Sequence, residues 1–122
     1  MLRVLVRAPC HPTESVSKVK RAILNLFPDA RLTEGEMISG EAEDLERLAE
    51  LLRTQRIRDS AREVIRGSIR DDRIVFHLNK QAALVGKVSF STLSPLGDIV
   101  VTIEADDIEA VMEQLTPARP GA

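Results

Sequence analysis

The chain has 122 residues, 43% of them apolar and 30% charged, with a formal net charge of −2 at pH 7. That length suits one domain with its own core, and the near-neutral balance excludes a polycation that binds nucleic acid by bulk charge. With no Trp, no Tyr and only Phe27, Phe76 and Phe90, the core is aliphatic, and a base-stacking platform of several aromatics is excluded.

Residues 2–8 alternate: Leu2, Val4, Val6 and Ala8 fall on one side and Arg3, Leu5 and Arg7 on the other, the pattern of a half-buried strand. This start lacks the apolar core and cleavage site of a signal peptide. No apolar run in the chain nears the ~20 residues of a membrane span. Pro9 and Pro12 end the strand and bracket Cys10, a lone cysteine that excludes an internal disulfide and fits a reducing compartment. The default address is the cytoplasm. Thr13 offers an N-cap and Glu14 a first-turn acid. They predict a helix to about residue 27, with Val16, Val19, Ile23 and Phe27 on one face and Pro28-Asp29 as its stop. Leu32 and the run Met37-Ile38-Ser39-Gly40 predict two short strands turning at Glu34-Gly35. Asp44 opens an amphipathic helix whose buried stripe is Leu45, Leu48, Ala49 and Leu52. A further helix is predicted over residues 57–66, with Ile57, Ala61, Val64 and Ile65 inward and Gly67 at its end. Whether the two helices run on through Gln55-Arg56 stays open.

Asp71-Asp72 turns the chain into a strand over residues 73–78, where Ile74, Phe76 and Leu78 share one sheet face. Asn79, Lys80 and Gln81 follow in a row. A helical turn over residues 81–85 breaks at Gly86, and a second strand begins at Lys87, with Val88 and Phe90 on one face. Ser94-Pro95-Leu96-Gly97 suits a β-turn. Residues 99–103 carry the strongest strand signal. Asp106 or Asp107 caps a last helix that turns Ile108, Val111, Met112 and Leu115 to the core. Strands and helices mix without strict βαβ alternation, which predicts an α+β fold: a two-layer α/β sandwich, its mostly antiparallel sheet covered by helices on one face. Residues 1–115 form one domain, and 116–122 a flexible tail.

The chemistry-bearing residues point away from an enzyme. Cys10, His11 and His77 lack the paired spacing of a zinc set, and a Cys10–His77 nucleophile would need a third group to orient the imidazole. Glu41, Glu43, Asp44 and Glu46, like Asp106-Asp107, suit helix starts. The glycines form no phosphate loop or dinucleotide fingerprint. No metal, cofactor or small-molecule substrate is implied.

The arginines are more informative. Seven lie between Arg53 and Arg73, and Arg58, Arg62 and Arg66 follow at i, i+4 and i+8, so they make one helical stripe. With Arg53, Arg56, Arg70 and Arg73 nearby, phosphate contact is one reading. The other is a solvated face on which Asp59 pairs with Arg62 and Glu63 with Arg66. Asn79, Lys80 and Gln81 offer donors at a strand end, with Lys87 across the helical turn. They could hold a phosphate or a 2′-hydroxyl, or satisfy backbone groups at the break.

Five blocks carry a family resemblance: His11-Pro12-Thr13-Glu14, Asn25-Leu26-Phe27-Pro28, residues 55–62 (Gln55 to Arg62), residues 78–83 (Leu78 to Ala83) and Leu96-Gly97-Asp98-Ile99. In this order and spacing the chain resembles an archaeal family of small proteins described as RNA-binding and linked to the exosome. The resemblance runs from residue 1 to about 115. It implies a fold like that of the large-subunit ribosomal protein that binds 5S RNA, in an archaeal cytoplasmic protein. Two functions from different classes follow. One is a non-catalytic RNA-binding domain using Arg56, Arg58, Arg62, Arg66, Asn79, Lys80, Gln81 and Lys87. The other is a structural protein that forms a homodimer through an open sheet face carrying Leu5, Val75, Val100 and Thr102, too apolar for full exposure.

Overall fold

Strict alternation makes β1 (Leu2–Pro9) the spine of the sheet: Val4, Val6 and Ala8 are fully buried, while Arg3 and Arg7 stand on the opposite, exposed side. The structure, a computed structural model, describes residues 1–91 and 97–117. β1 pairs with β3 (Met37–Ala42) on one edge and β6 (Ile99–Ala105) on the other. Beyond them lie β2 (Arg31–Glu34) on one side, and β5 (Arg73–Leu78) and β4 (Ile69–Arg70) on the other, in the order β2-β3-β1-β6-β5-β4. Every pairing is antiparallel, so the expected α+β class is observed. The register carries the alternation across strands. Val4, Ile103 and Ile74 align in one buried row, and Val6, Val101 and Phe76 in the next.

Helices cover that buried side. α1 (Val16–Leu26) turns Val19, Ala22, Ile23 and Leu26 inward, and α2 (Glu46–Thr54) turns Leu48 and Leu52. α3 (Arg58–Arg66) contributes Ala61 and Ile65. The short α4 (Lys80–Leu84) contributes Ala83, and α5 (Ile108–Leu115) contributes Val111, Met112 and Leu115. Each set recurs at helical spacing, so one arc of each helix is apolar. Sheet and helix residues form one cluster, in which burying a Leu or Ile side chain contributes about 1.5–3 kcal/mol. Gly97, at φ 81, lies so close to Pro9 that a Cβ there would collide with its ring.

The structure corrects several local expectations. Ser15, not Thr13, caps α1; its hydroxyl accepts the Lys18 N–H at 3.4 Å, while Thr13 lies in a turn closed by the Glu14 N–H on the His11 carbonyl at 2.8 Å. Val16 and Val64 are exposed rather than inward. Val16 stands one turn before the buried arc of α1, and Val64 stands a third of a turn off the Ala61–Ile65 line. Residues 87–91 form no strand. The Val88 N–H and C=O are both bonded to the Gln55 side chain, and Phe90 makes only an isolated bridge to Leu78. Thr116 is buried rather than the start of a tail, with its hydroxyl donating to the Met112 carbonyl at 3.0 Å. Residues 118–122, and most of the turn expected at 94–97, lie outside the described residues. Among the described residues no helix is long and apolar enough to cross a membrane.

Candidate nucleic-acid interface

α2 and α3 are separate helices, and the break is a Schellman turn. The Arg56 N–H bonds to the Arg53 carbonyl at 3.1 Å and the Ile57 N–H to the Leu52 carbonyl at 3.2 Å. Arg56 holds the left-handed position of this turn, at φ 59. α4 ends the same way: the Gly86 N–H bonds to the Ala83 carbonyl and the Lys87 N–H to the Ala82 carbonyl, both at 2.9 Å, with Gly86 at φ 76. A side-chain amide joins the two helix ends. Gln55 Nε2 donates to the Val88 carbonyl at 3.0 Å, and the Val88 N–H donates to Gln55 Oε1 at 2.7 Å. A second amide fixes the other flank, where Asn25 Nδ2 donates to the carbonyls of Ala83 and Leu84 at 2.9 and 3.1 Å. The Val85–Gly86–Lys87 tip is thus anchored on both sides, yet Val85 is 70% exposed and Lys87 is also exposed.

This bridge brings together residues far apart in sequence. Arg56 follows Gln55, Lys87 precedes Val88, and Arg53 and Arg58 flank the same turn. None of these four cationic side chains makes a hydrogen bond or ion pair among the described residues. Sequence reasoning missed Gln55 and Asn25 as the residues that build this corner. Their signals were an amide at the end of each amphipathic run and a place at the head of two of the resemblance blocks.

The stripe along α3 divides. Arg62 Nη1 donates to the Thr116 carbonyl at the end of α5, where a cation meets unpaired carbonyls. Arg66 forms an exposed pair with Glu109 of α5 at 3.3 Å. Neither the Asp59–Arg62 nor the Glu63–Arg66 pair expected on this helix is the contact these arginines make.

The Asn79-Lys80-Gln81 row divides as well. Asn79 caps α4, its Oδ1 accepting the Ala82 N–H at 2.8 Å. Lys80 is buried, with Nζ at 2.8 Å from both the Pro9 carbonyl and Glu14 Oε1. Burial pushes the Glu14 carboxyl up, but the hydrogen bonds from Lys80 and from the His11 N–H outweigh it and hold the group below its ordinary range. Gln81 is exposed and, with Lys18, Thr13 and Ser15, lines a groove of about 240 Å³ at the start of α1. That groove is distinct from the corner with Arg56 and Lys87.

Cys10 and His77 do not meet as a pair. The Cys10 thiol faces the His11 and Glu14 carbonyls, and His77 Nδ1 lies 3.4 Å from Asp98. Among the described residues no cluster could hold a metal ion.

On the sheet face away from the helices, Leu5, Thr102 and Val75 align in one row and Arg7, Val100 and His77 in the next. The apolar members are half-buried. Beside them Arg3, Glu104 and Arg73 form an ion-paired row, with Arg3 also on Glu41 at 3.0 Å.

A family model described as RNA binding matches residues 3–106. A UPF0201 protein of Methanothermobacter thermautotrophicus is 39% identical over 122 residues, covering 96% of this chain and 92% of that one. The chain belongs to the UPF0201 family. A UPF0201 crystal structure from Methanococcus jannaschii is 41% identical and superposes with a TM-score of 0.88, covering 98% of this chain and 96% of that one. Another UPF0201 crystal structure reaches a TM-score of 0.92 at 34% identity, covering 98% and 97%. The archaeal origin of the UPF0201 relatives and the RNA-binding description agree with the resemblance carried by the sequence blocks. The names of these UPF0201 relatives mention neither the exosome nor a ribosomal protein.

Proposed function

We propose that this chain is a non-catalytic RNA-binding protein that grips the phosphate backbone at the corner where α2, α3 and α4 meet. The observation that carries this reading is the set Arg53, Arg56, Arg58 and Lys87, whose side chains make no bond among the described residues. A cation already paired must break that pair to reach a phosphate; these four need not, and each contact releases counterion from the nucleic acid. Membership in a family described as RNA binding supports the same reading. Phe27 and Phe76 are buried and Phe90 is half-buried with its ring tilted against Phe76, so recognition falls on backbone and shape rather than on a platform of stacked bases. Arg62 and Arg66 are engaged with α5 and Gln81 lines a separate groove, so these three stand outside the corner. Asn79 and Lys80 hold the α4 turn from within. Titration of a short fluorescent RNA, single-stranded and as a hairpin, tests this. Binding at low salt that is lost at high salt is expected, and no binding of either form at low salt counts against it.

A second reading, compatible with the first because it uses another surface, is a homodimer through the open sheet face. It is favoured by the Leu5–Thr102–Val75 row, with Val100 beside it, on the side without helices. The adjoining row carries both signs of charge, so two copies related by a twofold axis can exchange ion pairs. Sedimentation tests it. A dimer that Val75→Lys converts to monomer supports the reading, and a wild-type monomer at high concentration removes it.

A further inference from the structure

Arg56 occupies a place where the fold prefers another residue. The left-handed position after a helix end is the usual site of glycine, because a Cβ there is crowded by the following carbonyl. The neighbouring turn obeys this rule with Gly86 at φ 76, whereas the α2 turn places Arg56 at φ 59. Among the described residues the other non-glycine residue with positive φ is Asp71, a type that tolerates this conformation. The Arg56 side chain gives the fold nothing in return, being exposed and without a bond among the described residues. Attraction to the negative end of α2 does not explain it, since Arg53 already supplies a cation in the last turn. A strained residue with an idle charged side chain is the pattern of a contact made outside the fold.

We infer that Arg56 is held in the left-handed turn to present its guanidinium to RNA phosphates together with Lys87, and that Gln55 is the positioning residue that sets the two turns side by side. This rests on the RNA reading above and names its anchor. Gln55 does so by bonding both polar groups of one peptide, at 2.7 and 3.0 Å, which fixes distance and orientation together. The partner is the phosphodiester backbone, because the residues that form the corner, Arg53, Arg56, Arg58 and Lys87, present donors and positive charge.

The test compares wild type with Arg56→Gly, Arg56→Asn, Lys87→Gln and Gln55→Met, measuring melting temperature and the salt dependence of binding to the same short RNA. Arg56→Gly is expected to melt at or above the wild-type temperature while its log–log salt slope falls by roughly 0.7–0.9. Arg56→Asn, which tolerates the left-handed turn, should lose the same slope. Lys87→Gln should lose a similar amount. Gln55→Met should weaken binding per folded molecule in wild type but add little once Arg56 and Lys87 are both replaced, since it acts through them. A lower melting temperature for Arg56→Gly, or unchanged slopes in the folded variants, overturns the inference. Failure of the wild type to bind RNA removes the RNA reading as well. Wild-type binding whose slope is unchanged in Arg56→Gly, Arg56→Asn and Lys87→Gln removes the anchor alone.

Discussion

Lys80 reaches Glu14 at 2.8 Å in a place where the two side chains are only 7% and 15% exposed. A buried ion pair is expensive to break from one side, because the remaining charge stays in a poor solvent. Lys80→Met is therefore expected to destabilise the protein by about 3–5 kcal/mol. Adding Glu14→Leu should restore much of that loss, since the orphaned carboxylate is then gone. Urea unfolding measures both. RNA affinity per folded molecule should not change, which separates this lysine from Lys87.

The same pair sets part of the acid limit. The Glu14 carboxyl is held below its ordinary value of 4.5 in the folded protein. Its contribution to stability is complete above the unfolded value and is lost as pH falls through the lower folded one. The urea midpoint should drop with pH in that window, and Glu14→Gln should flatten this part of the fall. A variant that keeps the full wild-type acid slope would show that Glu14 is not its source.

The α3 arginines should separate by stability. Arg62→Gln loses a charged hydrogen bond to the Thr116 carbonyl, at a cost of about 1.5–3 kcal/mol. Arg66→Gln loses an exposed pair with Glu109, worth about 0.2–1 kcal/mol. Arg58→Gln, with no partner among the described residues, should be near neutral. Thermal melts of the three variants check the order. Equal losses would mean that the stripe acts as one solvated face.

Much of the architecture was legible because period and burial coincide. β1 and β5 alternate in the sequence and are buried on alternate residues, the β-branched run of β6 carries a strand signal by composition, and the arcs of α2 and α5 follow their apolar spacing. What was not legible depends on long-range polar contacts. The strand expected at Lys87 fails because Gln55, distant in sequence, takes both backbone groups of Val88. The two-residue β4 has too few residues to show a period and is made by the turn at Asp71, φ 58. In the candidate site, type and spacing identified the arginines but not their partners. Arg62 and Arg66 turn to α5, Lys80 turns inward, and the turns that carry Arg56 and Lys87 are joined by the Gln55 bridge to Val88.

The most direct measurement is the salt dependence of wild-type RNA binding, by anisotropy with a short labelled strand. If Arg53, Arg56, Arg58 and Lys87 each neutralise one phosphate, log Kd should rise with log salt with a slope of roughly three, from about 0.7–0.9 per contact. The slope should be nearly the same for unrelated RNA sequences, since phosphates carry no sequence information. A slope near zero, or no binding at low salt, would contradict the account.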